Sequence, residues 1–141
     1  MKEQISTAGA VIAGVVGYFI GGFDVLISAF AAVILIDTLS GMLKAWNLGE
    51  YKSKDFREGL VKKAGYVIGV LLVVQLDIMI GKVVGSTSIA FRDATITFFI
   101  INEALSVIEN LGEMGVKFPQ ALTNAIKALR DKTDKGEKKV E

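Results

Sequence analysis

Three carboxylates, Asp37, Asp77 and Glu103, lie inside apolar runs of about 19 residues, close to the ~20 that cross a bilayer as an α-helix. A lone charge at mid-membrane costs about 2.5–3.5 kcal/mol on insertion scales. A chain that keeps three of them must supply water or partners for each. Its helices must therefore associate and enclose polar surface. The first apolar stretch is cleaner still, since Gln4 to Phe23 carries no charge over 20 positions.

Four apolar segments follow from this pattern: Ile5–Phe23, Val25–Leu43 with Asp37, Ala64–Gly81 with Asp77, and Ser88–Ile108 with Glu103. One acid does not forbid insertion. In the second segment Val25, Leu26, Ile27, Phe30, Val33, Ile34, Leu35, Ile36 and Leu39 together favour the membrane by about 4 kcal/mol, which offsets one aspartate. In the fourth, Arg92 and Asp93 are expected at the watery end, paired with each other. The fold class expected is all-α: a polytopic membrane helical bundle of about four transmembrane helices plus a short C-terminal amphipathic helix. Residues 1–110 form the transmembrane domain, and 111–141 a cytoplasmic helix and basic tail.

The connections differ in kind. Gly21-Gly22-Phe23-Asp24 leaves room only for a tight hairpin. Lys44–Lys63 reads as a real loop, with Asp55 and Glu58 spaced like a capping box at the start of the third helix. Lys62 and Lys63 then serve as interfacial anchors at headgroup level. After Glu109, the glycines and Pro119 break the helix. Gly115 and Pro119 mark a turn into a new helix, Gln120–Asp131, whose Leu122, Ala125, Ile126 and Leu129 form one apolar stripe. The remaining residues read as a disordered tail.

Charge sets the orientation. The loop from Lys44 to Lys63 carries six basic residues and the segment from Lys117 seven, so with Lys2 a four-span topology puts 14 of 16 on the cytoplasmic side. Three spans, with the first segment lying on the surface, keep the inside loop and tail but move the N-terminus. A signal peptide ending near Ala29-Phe30-Ala31 is disfavoured, because the apolar region is too long and Asp24 interrupts it.

Polar residues are arranged on faces. Asp37, Ser40, Gly41 and Lys44 fall at i, i+3, i+4 and i+7 of the second helix. In the fourth, Asn102, Ser106, Glu109 and Glu113 share a stripe, with Glu103 and Asn110 beside it. Two readings stay open: interhelical hydrogen bonds that hold a bundle together, or the lining of a water-filled lesion. Gly9, Ala13, Gly17 and Gly21 place a small residue at every fourth position, a close-packing face for a helix of the same chain or another.

Catalysis finds little support. The chain has no cysteine and no histidine, which removes thiolate chemistry, the usual soft metal ligands and the Ser/His and Cys/His triads. There is no metal-spacing motif and no phosphate-cradling glycine loop. No cofactor is expected, and the basic tail lacks the aromatic interleaving of a nucleic-acid surface.

Three runs carry a family resemblance: LIDTLSGMLKAWNLGEYKSKDFREGLVKKAGY, LLVVQLDIMIG and FFIINEALSVIENLGEMGVKFPQAL. Together they resemble the phage holin family that includes the clostridial toxin-secretion holins, from about Val25 to Leu129. The matching positions are Asp37 and Gly41; Ser53; Gly59, Lys62 and Lys63; Leu76 and Asp77; Asn102, Glu103, Ser106, Glu109 and Asn110; then Gly115, Val116 and Pro119. The resemblance implies a protein that accumulates in the bacterial inner membrane and homo-oligomerises into a lesion. Endolysin, or in toxin-encoding clusters a toxin, escapes through it. Asp37 and Glu103 are then expected to help switch between a dispersed and a water-lined state. The alternatives are a small channel or transporter accessory subunit, or a membrane scaffold.

Overall fold

The computed structural model describes residues 2–50, 52–85 and 90–137. Five helices account for nearly all of them: α1 Lys2–Ile20, α2 Val25–Leu48, α3 Ser53–Val84, α4 Ala90–Glu113 and α5 Gln120–Glu137. No strand occurs among the described residues. The expected start of the fourth span at Ser88 and the last four residues of the tail fall outside that set.

Each turn has a local cause. Helix α1 ends in a Schellman motif: Gly22 N–H donates to Gly17 O at 2.7 Å and Gly21 N–H to Tyr18 O at 3.4 Å. Asp24 then caps α2, its Oδ1 accepting from Ile27 N–H at 2.9 Å. The same pair of backbone bonds closes α4, where Gly115 takes φ +90° and Val116 N–H reaches Leu111 O at 3.0 Å. Pro119 then leads into α5, at a position where its missing N–H costs no helical bond and its carbonyl accepts from Leu122 and Thr123.

Three boundaries differ from the sequence reading. The supposed loop over Lys44–Lys63 is mostly helix, because α2 runs to Leu48 and α3 starts at Ser53. Lys, Arg and Glu are good helix formers, and no proline between Ser53 and Gly59 interrupts helical bonding. The capping box is also displaced. Lys52 occupies the N-cap without a side-chain bond, Asp55 sits in the first turn, and Glu58 faces Lys54 at 3.8 Å instead. Finally, α5 continues to Glu137, past the expected end at Asp131, since no glycine or proline intervenes before Gly136.

Helix α4 is the hub. It packs along α2 and α3 and also meets α5, while α2 and α3 touch each other little and α1 packs on α3, with its last residue also meeting Arg92 of α4. Contacts at both ends of α4 show that α2 runs parallel to it and α3 antiparallel. Phe30, Val70, Val74 and Ile96 form the buried core, with Tyr66 and Phe99 stacked beside it at 4.2 Å between ring centroids. Gly69 makes room for that ring: a Cβ there would lie 3.4 Å from Phe99 Cζ.

The burial pattern is inverted relative to a water-soluble domain. Of the ten buried residues described, five are polar or charged: Asp37, Ser40, Asp77, Arg92 and Glu103. Large apolar side chains cover the outside on every helix, among them Val15, Leu35, Ile68, Leu72 and Phe91. A continuous apolar exterior of this kind suits lipid and not water. Three helices, α2, α3 and α4, are long and apolar enough to cross a membrane; α1 contributes a shorter apolar stretch, Ser6–Ile20. At 1.5 Å per residue α3 is about 48 Å long, so its first turns project beyond a ~30 Å hydrocarbon core.

Candidate functional site

Two polar knots tie the bundle together, one toward each end of α4. The larger joins the middle of α2, the early turns of α3 and the second half of α4. Asp37, Ser40 and Lys44 project from α2 on one face. Glu103, Ser106, Asn110 and Glu113 answer from α4 at i, i+3, i+7 and i+10. Lys62 and Lys63 reach in from α3.

Lys63 is the bridge. Its Nζ lies 2.8 Å from Asp37 Oδ2 and 3.3 Å from Glu103 Oε2. Glu103 is 1% exposed, and its other oxygen, Oε1, lies 3.4 Å from Lys62 Nζ. No hydrogen bond of good alignment reaches Oε2, so its contact with Lys63 is electrostatic. Asn110 Nδ2 donates to Ser40 Oγ at 3.2 Å and to Asp37 Oδ1 at 3.4 Å, while Ser40 Oγ donates back to Asp37 O. The Ser106 hydroxyl faces the same Asp37 carboxylate. Lys62 also sits over the Tyr66 ring, 5.4 Å from its centroid. At the rim, Lys44 pairs with Glu113 at 2.8 Å.

A cavity of about 230 Å³ opens beside this knot, with Asp37, Lys63, Asn110 and Gly41 on its inner wall and Glu50, Lys52 and Asp55 at its mouth. It has polar partners and room for several waters. The opening faces the end of the bundle where α2 stops and α3 starts.

The second knot was only partly foreseen. Arg92 is completely buried within the bundle, in the first turn of α4, and it pairs with Asp93, at 2.8 Å. It also binds Asp24 Oδ2 at 2.7 Å, Ile20 O at 2.7 Å and Gly22 O at 3.2 Å, so one guanidinium holds the α1–α2 turn against the start of α4. The Arg92 guanidinium, with help from the Ile27 amide, holds the Asp24 carboxyl well below the usual carboxylate range, at about 2. Asp77 caps α4 from another helix: its two oxygens accept from Phe91 N–H at 3.2 Å and Arg92 N–H at 2.8 Å. Those amides are orphan donors of a helix N-terminus, and a carboxylate there also meets the positive end of the helix dipole.

Several predicted site residues fall elsewhere. Asn102 is half-buried and Glu109 exposed, both outside the knot, because inward packing of Ile96 and Leu105 turns the Glu103–Ser106–Asn110 face toward α2. Lys63 is an interior counter-ion, not an outward anchor, since the register of α3 sets it beside Asp37. The small-residue face of α1 divides: Gly9 and Ala13 are exposed, Gly17 meets Phe23 of its own turn, and Gly21 lies beyond the helix against Arg92. Sequence carried one hint of the Arg92 clamp, an acid two residues after the Gly-Gly pair in an otherwise uncharged hairpin. Among the described residues no group of three or more His, Cys, Asp or Glu is placed to hold a metal ion.

A sequence profile of a bacteriophage holin family matches residues 14–131. An uncharacterized protein of Listeria monocytogenes is 36% identical over 87% of this chain and 84% of its own. A Clostridium perfringens protein, also uncharacterized, is 30% identical over 82% of this chain and 84% of its own. A protein of Bacillus phage phi105 named probable holin is 30% identical over 71% of this chain and 70% of its own. No solved structure matches the chain.

Proposed function

The chain belongs to the bacteriophage holin family, and on that premise we propose that it assembles in the bacterial inner membrane into a lesion that releases an endolysin, or a toxin, from the cytoplasm. The reading is non-enzymatic. Its cargo need not bind it, and its partners are lipid and further copies of itself. The asymmetry of basic residues supports placing both termini on the cytoplasmic side.

One observation carries the proposal: a hydrophilic knot enclosed by helices whose outer faces are apolar. Such a protomer is dispersed in lipid at low cost, because its charges are internally paired. Its interior nevertheless holds the groups a water-filled opening needs. Asp37, Glu103, Lys63, Ser40 and Asn110 are paired with each other in the protomer. If α2 and α4 separate in an assembly, these same groups face water, where exposing them costs little.

Inducible expression in bacteria tests it. Release of a large cytoplasmic reporter enzyme at a defined time is the expected result; leakage of ions alone would point to a small channel and refute the lesion reading. The double substitution Asp37→Asn with Glu103→Gln should shift the onset of release. Unchanged timing and unchanged reporter size limit would remove these carboxylates from the switch.

A further inference from the structure

Helix α3 has two faces with different fates. Its inner face, Lys63, Tyr66, Val70, Val74 and Asp77, packs on α2 and α4. The opposite face carries Val61, Gly65, Ile68, Leu72, Gln75, Met79 and Lys82, spaced alternately by four and three residues, and all seven are exposed. That is the a/d spacing of a helix–helix seam sustained over three heptads. Helix α1 touches α3 but leaves this seam uncovered.

Gln75 makes the seam more than a lipid-facing stripe. It is exposed, and its amide has no hydrogen bond among the described residues. Within the apolar stretch it sits about 16 Å along the helix from Ala64 and about 9 Å from Gly81. Lipid tails at that depth offer no hydrogen-bond partner. An amide carries both donor and acceptor, so a second amide satisfies it reciprocally. Copies inserted in one orientation pair symmetrically about a two-fold axis along the membrane normal, the commonest arrangement of a homodimer, and a residue near that axis meets its own equivalent.

We propose that this outward seam of α3 is a self-association surface, where two copies pack side by side and the Gln75 amides hydrogen-bond to each other. Gly65, at which an added Cβ would meet nothing within 4 Å, lets the helices approach closely toward one end of the seam. The proposal rests on the membrane-assembly reading for the identity of the partner. It places the contact on the face of α3 opposite the polar knot, so copies can pair without breaking the Lys63 bridge.

The full chain has no cysteine, which suits disulfide mapping in native membranes. Under mild oxidation Leu72→Cys and Met79→Cys should give covalent dimers. Val67→Cys and Ile80→Cys, also exposed but about 110° away around the helix, should give several-fold less. Gln75→Leu, which favours insertion, should weaken association by about threefold or more, and Gln75→Asn should retain most of it. Equal cross-linking on both faces, no dimers at all, or full association of the Gln75→Leu variant would overturn the proposal. Reporter release is measured separately on the same variants. Seam-specific dimers in a protein that releases nothing refute the lesion reading and leave the interface standing.

Discussion

Replacing Lys63 with methionine removes one cation from between two buried carboxylates while keeping most of the unbranched apolar stem. The Lys63 side chain is 14% exposed, and it contacts Asp37 at 2.8 Å and Glu103 at 3.3 Å. Removing one member of a buried pair costs about 3–5 kcal/mol, because the remaining charge is left without compensation. Lys62 still faces Glu103, so the loss falls mainly on Asp37. The control lies at the rim of the same knot. Lys44 pairs with Glu113 at the same 2.8 Å, but those side chains are 29% and 52% exposed, and Lys44→Met should cost about 0.2–1 kcal/mol. Distance is thus held constant and burial varied. The assay is reversible unfolding of purified protein in mixed micelles, followed by circular dichroism. Adding Asp37→Asn to Lys63→Met should recover part of the loss, and the double-mutant cycle reports the coupling between the two groups. Equal costs for Lys63→Met and Lys44→Met would refute the claim that burial, and not mere pairing, gives the bridge its strength.

The second knot yields three further expectations. Gly21→Ala must adopt φ near +76° and bring a Cβ within 2.8 Å of Arg92 Cδ, so it should destabilise by about 1–3 kcal/mol, whereas Gly14→Ala, in open space within α1, should be neutral or mildly stabilising by thermal melting. Asp77→Leu leaves the Phe91 and Arg92 amides without their acceptor, the latter buried, and should cost about 1–3 kcal/mol, with Asp77→Asn milder, in the same micelle unfolding assay. The Asp24 carboxyl titrates at about 2 in the folded protein, below its ordinary value. Its clamp on Arg92 therefore contributes fully above about pH 4 and fades as pH falls toward 2. The melting difference between wild type and Asp24→Asn should shrink over that window, and a difference that stays constant down to pH 2 would show that the ion pair does not contribute.

Sequence made some of this legible and hid the rest for definite reasons. Apolar runs located the α2, α3 and α4 spans because insertion depends on summed side-chain transfer energy, a quantity that composition contains. Gly115 and Pro119 announced the break before α5 because glycine accepts the positive φ that ends a helix and proline fixes φ and lacks an N–H. Arg92 could not be read in the same way. Its partners Ile20, Gly22 and Asp24 lie some 70 positions earlier, and only the packing of α1 and α2 onto α4 brings them near. Asp77 looked like an uncompensated charge because its partners are backbone amides of another helix, which no side-chain pattern records.

Lys63 shows where the inference from charge to place went astray. A basic pair at the entry to an apolar segment ordinarily extends toward the headgroups, and Lys62, with its side chain 58% exposed, keeps some of that character. Its neighbour is rotated by about 100° around the helix, which is enough to carry it from the surface to the interior. The difference between an anchor and a counter-ion is therefore one residue of helical register. That register is set farther along α3, by Val70 and Val74 on the same inward face in the core and by Gly69 against the Phe99 ring. Filling Gly69 would push on that ring, and a displaced α3 would withdraw Lys63 from Asp37 without altering any charged residue. The polar knot and the apolar core are thus one structure: the charges are affordable in the membrane only because the core holds α3 in the rotation that pairs them.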